Sequence, residues 1–245
     1  MDAVIRTGMW DGMLPAARRL SAAVAGGALA GLLVGGVGGR VAMLVLRLSS
    51  DPRLRGLETD DGFTIGVLST ATLFLLGLTA IIGAAGGALY LLVRGWLAPR
   101  LRPWVFGGLT GVVGGAGIIR PEGLDFTLLD PLPLAVAMFV AIAAAGGVVT
   151  SVLAERFLRE GSAFEASWTA LGVLVLLLPL TAGILGPIGI AILLALGAAI
   201  LLTGRGRDVV RLWRSAPVAW VGRAGLAAVA AVGSVALVRD ITAVL

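Results

Sequence analysis

The sequence predicts an all-α protein, a polytopic transmembrane helical bundle of about seven spans with a duplicated helical hairpin. Three observations predict it. The 245-residue chain is 58% hydrophobic and 13% charged, with a mean hydropathy of +1.03, a balance that no water-facing globular surface carries. Its apolar residues form long unbroken runs, and a bilayer core about 30 Å thick takes about 20 such residues per helix. Two pairs of these runs also repeat one another in glycine spacing and in the residues that follow.

The apolar runs fall at 20–46, 65–93, 104–119, 132–154, 168–185, 187–203 and 218–238, and each is read as one crossing. The first begins after Arg18 and Arg19, as a signal peptide would, yet it is longer than an h-region of about 7–15 residues and is expected to stay as an anchor. Upstream, Met9, Trp10, Met13 and Leu14 recur at helical spacing and predict a short helix in the interface. From 168 to 203 the apolar stretch is too long for one crossing, and Gly183, Gly186 and Pro187 place a turn at its midpoint. The chain 1–245 therefore reads as a single integral membrane domain. Its parts are hairpin repeat 1 at 19–97, hairpin repeat 2 at 104–158, a third hairpin at 168–203 and a last span at 218–238.

Gly27, Gly31, Gly35 and Gly39 lie four apart, and so do Gly107, Gly111 and Gly115. Each set makes a stripe without side chains, along which a neighbouring backbone can approach where lipid supplies no hydrophobic drive. "GGALAGLLVGGVGGR" at 26–40 parallels "GGLTGVVGGAGIIR" at 107–120, and "GAAGGALYLLVRGWL" at 83–97 parallels "AAAGGVVTSVLAERFL" at 143–158. Both copies run in the same sense, which predicts a parallel repeat about an axis along the membrane normal. The alignment makes Arg40 equivalent to Arg120 and Asp61 equivalent to Asp125.

Absences narrow the chemistry. The chain has no Cys and no His, which removes His- or Cys-ligated haem, iron–sulfur clusters and the usual zinc sites. All 19 basic residues are Arg, so no lysine Schiff base can form. No cofactor and no metal are expected, and an enzymatic role is not. With the N-terminus in the cytoplasm, thirteen arginines and six acids lie inside, and six arginines and eight acids lie outside. The positive-inside rule then gives a multi-pass protein of the bacterial plasma membrane with a cytoplasmic N-terminus and an extracytoplasmic C-terminus. The segment "RGRDVVRLWR" at 205–214 reads first as a topology determinant, with arginines spaced to meet anionic headgroups.

Arg40 and Arg120 each end a glycine stripe on the outer side. With Asp60, Asp61, Glu122 and Asp125 they form the candidate binding site, either a salt-bridge cluster or a place where two guanidiniums hold a phosphate or carboxylate. Two functional readings follow. The first is a non-enzymatic membrane subunit or scaffold, with the lipid bilayer, a membrane-protein partner or further copies of itself as partners and no nucleic acid. The second is a small transporter or permeation protein with an extracytoplasmic arginine-lined anion site. The stretches "GGRVAMLVLRL", "DDGF" and "GLDFTLLDP" give the whole chain a resemblance to polytopic membrane proteins of high-GC bacteria, a group to which no function is attached.

Overall fold

A computed structural model describes residues 18–49, 70–119, 131–162 and 206–244. Every element among them is helical. Helix α1 covers 18–49, α2 Thr70–Val93, α3 Arg102–Ile118, α4 Leu132–Phe157, α5 Gly206–Trp213 and α6 Ala216–Val244. The starts of α3 and α4 carry a proline in the first helical turn, where the missing N–H costs nothing and the fixed φ suits a helix.

Four helices, α1, α2, α4 and α6, are long and apolar enough to cross a membrane. Helix α3, the expected run at 104–119, has 17 residues and is about 25 Å long at 1.5 Å per residue, shorter than the other four. The expected crossings at 168–185 and 187–203 lie outside the described residues, as does the N-terminal stretch containing Met9, Trp10, Met13 and Leu14.

Helix α1 is not uniform. Its middle, Gly31–Gly38, is wound as a π-helix, and the turn is closed where the Gly39 N–H donates to the carbonyls of both Gly35 and Gly36. Wider i→i+5 winding is rare. Here it falls on a stretch holding four glycines, where few side chains crowd the turns and the backbone is free to follow its neighbour.

Large apolar side chains lie on the outside of the bundle as well as in its buried clusters. Many buried positions are small or hydroxylated, among them Ala22, Ala23, Ala30, Ala84, Ala154, Ser21 and Ser151, whereas the large side chains of Phe74, Ile82, Val221 and Val232 are 59–73% exposed. Lipid solvates large aliphatic side chains as well as a core does, so helix contact is left to residues that permit close approach.

Helices α1, α3 and α6 run one way, α2 and α4 the other. Gly26 of α1 lies against Ala154 of α4 at one end, while Leu46 of α1 shares a buried cluster with Val136 of α4, Ile119 and Leu237 at the opposite end. Ala23, Tyr90, Val93, Leu97, Phe106 and Ala154 form the cluster at the first end. That end holds the starts of α1, α3 and α6, the ends of α2 and α4, and Trp213 of α5. It also carries Arg18, Arg19, Arg94, Arg100, Arg102, Arg156, Arg159, Arg207, Arg211, Arg214 and Arg223, against Arg40, Arg47 and Arg239 toward the other end.

Candidate functional site

Of the six residues proposed as a binding cluster, Arg40 lies on α1 just past the π-helical segment. Its Nε and Nη2 atoms are enclosed by protein. Arg120, Asp60, Asp61, Glu122 and Asp125 lie outside the described residues.

The glycines fall at two seams. In the first, α1 against α2, a Cβ on Gly27 would run into the Gly83 carbonyl and come within 2.8 Å of Gly87 Cα, and one on Gly31 would lie 3.0 Å from Gly83 Cα. Gly35 faces the Thr79 side chain at 3.2 Å, and Gly39 has nothing within 4 Å. In the second seam, α3 against α4, Gly107 abuts Val148 and the Ala144 carbonyl, and Gly111 abuts Ala144 Cβ at 2.9 Å. Gly115 faces two helices, meeting Val140 of α4 and Leu237 of α6, each at 3.1 Å. Each seam holds one threonine whose hydroxyl turns back to its own helix. Thr79 Oγ1 donates toward the Leu75 and Leu76 carbonyls at 3.0 and 3.1 Å, and Thr110 Oγ1 toward Phe106 and Gly107 at 3.0 Å. Both satisfy their hydroxyl without a partner from across the seam.

The arginine-rich end contains a cluster that the sequence reading did not assemble. Glu155 stands in the last turn of α4, because that helix runs to Phe157 and not only to residue 154. Its Oε1 accepts from the Tyr90 hydroxyl at 2.6 Å, from Arg94 Nε at 3.1 Å and from Arg102 Nη1 at 2.9 Å, and its Oε2 accepts from Arg94 Nη2 at 2.8 Å. The Arg94 contact is two-pronged, the strong geometry for a guanidinium on a carboxylate. Tyr90 is fully buried, and its ring meets Phe106 edge-on at 5.1 Å. The two guanidiniums and the carboxylate are each less than a third exposed. Four side chains thus join the end of α2, the start of α3 and the end of α4.

A signal for this cluster was present. A carboxylate in the last turn of a helix opposes the helix dipole and calls for compensating cations, and Tyr90 is the chain's single tyrosine. Geometrically the arrangement is a lock: both oxygens of the carboxylate are engaged, by Tyr90, Arg94 and Arg102. Among the described residues no group of three acids offers a metal site.

A second set of contacts ties α5 to the same end. Trp213 Nε1 donates to the Leu92 carbonyl at 2.9 Å, Trp96 Nε1 donates to the Trp213 carbonyl at 3.2 Å, and the two indoles lie 4.7 Å apart. Arg223 Nε of α6 donates to the Trp96 carbonyl at 2.7 Å. Comparison of the chain with protein-family models, with curated proteins and with solved structures returns no match.

Proposed function

We propose that this chain is a non-enzymatic, multi-pass subunit or scaffold of a bacterial plasma membrane, built on a duplicated hairpin. The observation that carries the reading is the engagement of Glu155. Glu155 and Asp240 are the only carboxylates on the five long helices among the described residues. A carboxylate that served transport would have to exchange its proton or ion, whereas Glu155 is held by Tyr90, Arg94 and Arg102.

The duplication draws support from matched contacts. With the one-residue gap placed at 26, so that Arg40 meets Arg120, Gly27 pairs with Gly107, and Gly87 pairs with Gly147. A Cβ on Gly87 would lie 3.2 Å from Gly27 Cα, and one on Gly147 would lie 3.0 Å from Gly107 Cα. The neighbouring Gly86 and Gly146 both face open space. The reading of seven crossings is compatible with α4 ending and α6 beginning at the same, arginine-rich end, since it assigns two crossings to the apolar sequence between them. The positive-inside rule puts that end in the cytoplasm. Since the chain has no native cysteine, single cysteines at Thr59 and Gly123 are expected to react with an impermeant maleimide in intact cells. Cysteines at Pro99 and Ser162 are expected not to, and their labelling would reverse the orientation.

A second reading, a permeation protein with an arginine-lined anion site, draws on the enclosure of Arg40, which turns the side chain toward protein instead of headgroups. Flux of inorganic anions into proteoliposomes separates the two readings. The scaffold reading expects the rate of empty vesicles. Specific flux lost in both Arg40→Ala and Arg120→Ala would replace it with the transport reading.

A further inference from the structure

We propose that the arginine-rich end carries a docking surface for the headgroups of anionic glycerophospholipids, centred on α5. This inference is independent of whether the bundle is a scaffold or a transporter, since it concerns the lipid at its edge.

The first observation is that α5 is fixed in place. Its last residue, Trp213, is held by the reciprocal indole bonds to Leu92 and Trp96, and Trp96 is itself seated on α6, where a Cβ on Gly222 would come within 2.7 Å of its ring. A free amphipathic loop would not need two indole anchors. The second observation is the character of what α5 leaves outside. Val210 and Leu212 are 54% and 63% exposed, yet Arg211 and Arg214 beside them are exposed too. A helix that shows both kinds of side chain suits the boundary where acyl chains meet phosphates. Trp104 and Trp220 are exposed at the same end, and tryptophan collects at that depth of a bilayer.

Charge selects the headgroup. Arg100, Arg156, Arg159, Arg211 and Arg214 are exposed at this end, and none of them forms an ion pair among the described residues. Among the described residues the exposed acids there are Glu160 and Asp208. A surface with this surplus of cations attracts anionic lipid electrostatically, and a guanidinium adds two-pronged recognition of phosphate oxygens that an ammonium does not. Zwitterionic headgroups carry the phosphate but bring their own cation to the arginines, so the surface discriminates between the two lipid classes.

The test uses the full chain in a neutral detergent, with bound lipids counted by native mass spectrometry during titration with phosphatidylglycerol or phosphatidylcholine of equal chain length. The wild type is expected to retain phosphatidylglycerol preferentially. The double substitution Arg211→Gln, Arg214→Gln is expected to lower that preference about tenfold while leaving the lipid-free melting temperature unchanged, because both guanidiniums are exposed and neither has an ion-pair partner among the described residues. Trp213→Phe removes the indole donor and is expected to lower the preference as well, with Arg211 and Arg214 still present. An unaltered preference in the double variant, or none in the wild type, would overturn the proposal. So would an unaltered preference in Trp213→Phe, since the arginines would then act without a docked α5. Inorganic phosphate is expected to leave bound phosphatidylglycerol in place; displacement by it would mark a free-anion site and overturn the lipid assignment.

Discussion

Gly87→Ala is expected to destabilise the bundle by about 3 kcal/mol, at the upper end of what overpacking costs, while Gly86→Ala leaves it unchanged or slightly more stable. The two glycines are adjacent, so the contrast isolates contact from composition. A methyl on Gly87 would strike the Ala23 carbonyl and lie 3.2 Å from Gly27 Cα. Those are backbone atoms, which cannot rotate away, so relief requires α1 and α2 to part along their whole seam. Gly86 has open space around its Cβ direction, and alanine there gains up to about 1 kcal/mol of helix propensity. The aligned pair behaves alike: Gly147→Ala would meet Thr110, Gly107 Cα and the Phe106 carbonyl, and Gly146→Ala would meet nothing within 4 Å. Thermal melts in detergent read all four variants. Equal losses at Gly86 and Gly87 would show that the seam tolerates separation and that the glycines act only through backbone freedom.

That contrast marks what periodicity reveals and what it cannot. A four-residue glycine spacing announces a stripe, so the first and third helices and their small-residue faces are readable from the chain alone. Which member of the "GG" pairs at 86–87 and 146–147 closes the seam depends on the rotation of one helix against another, and both members have the same composition. The π-helical winding of Gly31–Gly38 leaves no mark in hydropathy, because winding alters hydrogen-bond partners and not side chains. The Glu155 cluster was missed for a different reason. Averaged hydropathy falls away at residue 154 and assigns the acid to a loop, and its partners lie 53 to 65 positions away in sequence, among several arginines that look equivalent. Only the register of α2, α3 and α4 separates Arg94 and Arg102 from Arg100, which stays exposed. The outer cluster around Arg40 and Arg120 rests on the repeat, and five of its six members lie outside the described residues.

Glu155→Ala is expected to cost about 2–4 kcal/mol, more than any single change among its partners. The carboxylate accepts from three side chains, so its removal leaves two guanidiniums facing each other and takes the charged acceptor from the buried Tyr90 hydroxyl. Breaking a fully buried pair costs about 3–5 kcal/mol because a charge is stranded. Side-chain exposures of 25% for Arg94 and 19% for Arg102 admit some solvent and lower the figure. Arg94→Gln strands nothing, since Arg102 and Tyr90 still hold the carboxylate, and about 1 kcal/mol is expected, the net worth of an ordinary hydrogen bond. Arg156→Ala, one residue away but exposed, is expected to leave the melting temperature unchanged. Because the cluster joins α2, α3 and α4 at one end only, the loss is also expected to be local. In Glu155→Ala, amide exchange speeds up around 90–94 and 150–157, while the cluster of Leu46, Val136 and Leu237 at the other end keeps its protection. Uniform loosening along all the helices would mean that Glu155 supports the packing of the whole bundle, and the reading of these four residues as a lock on one end would fall.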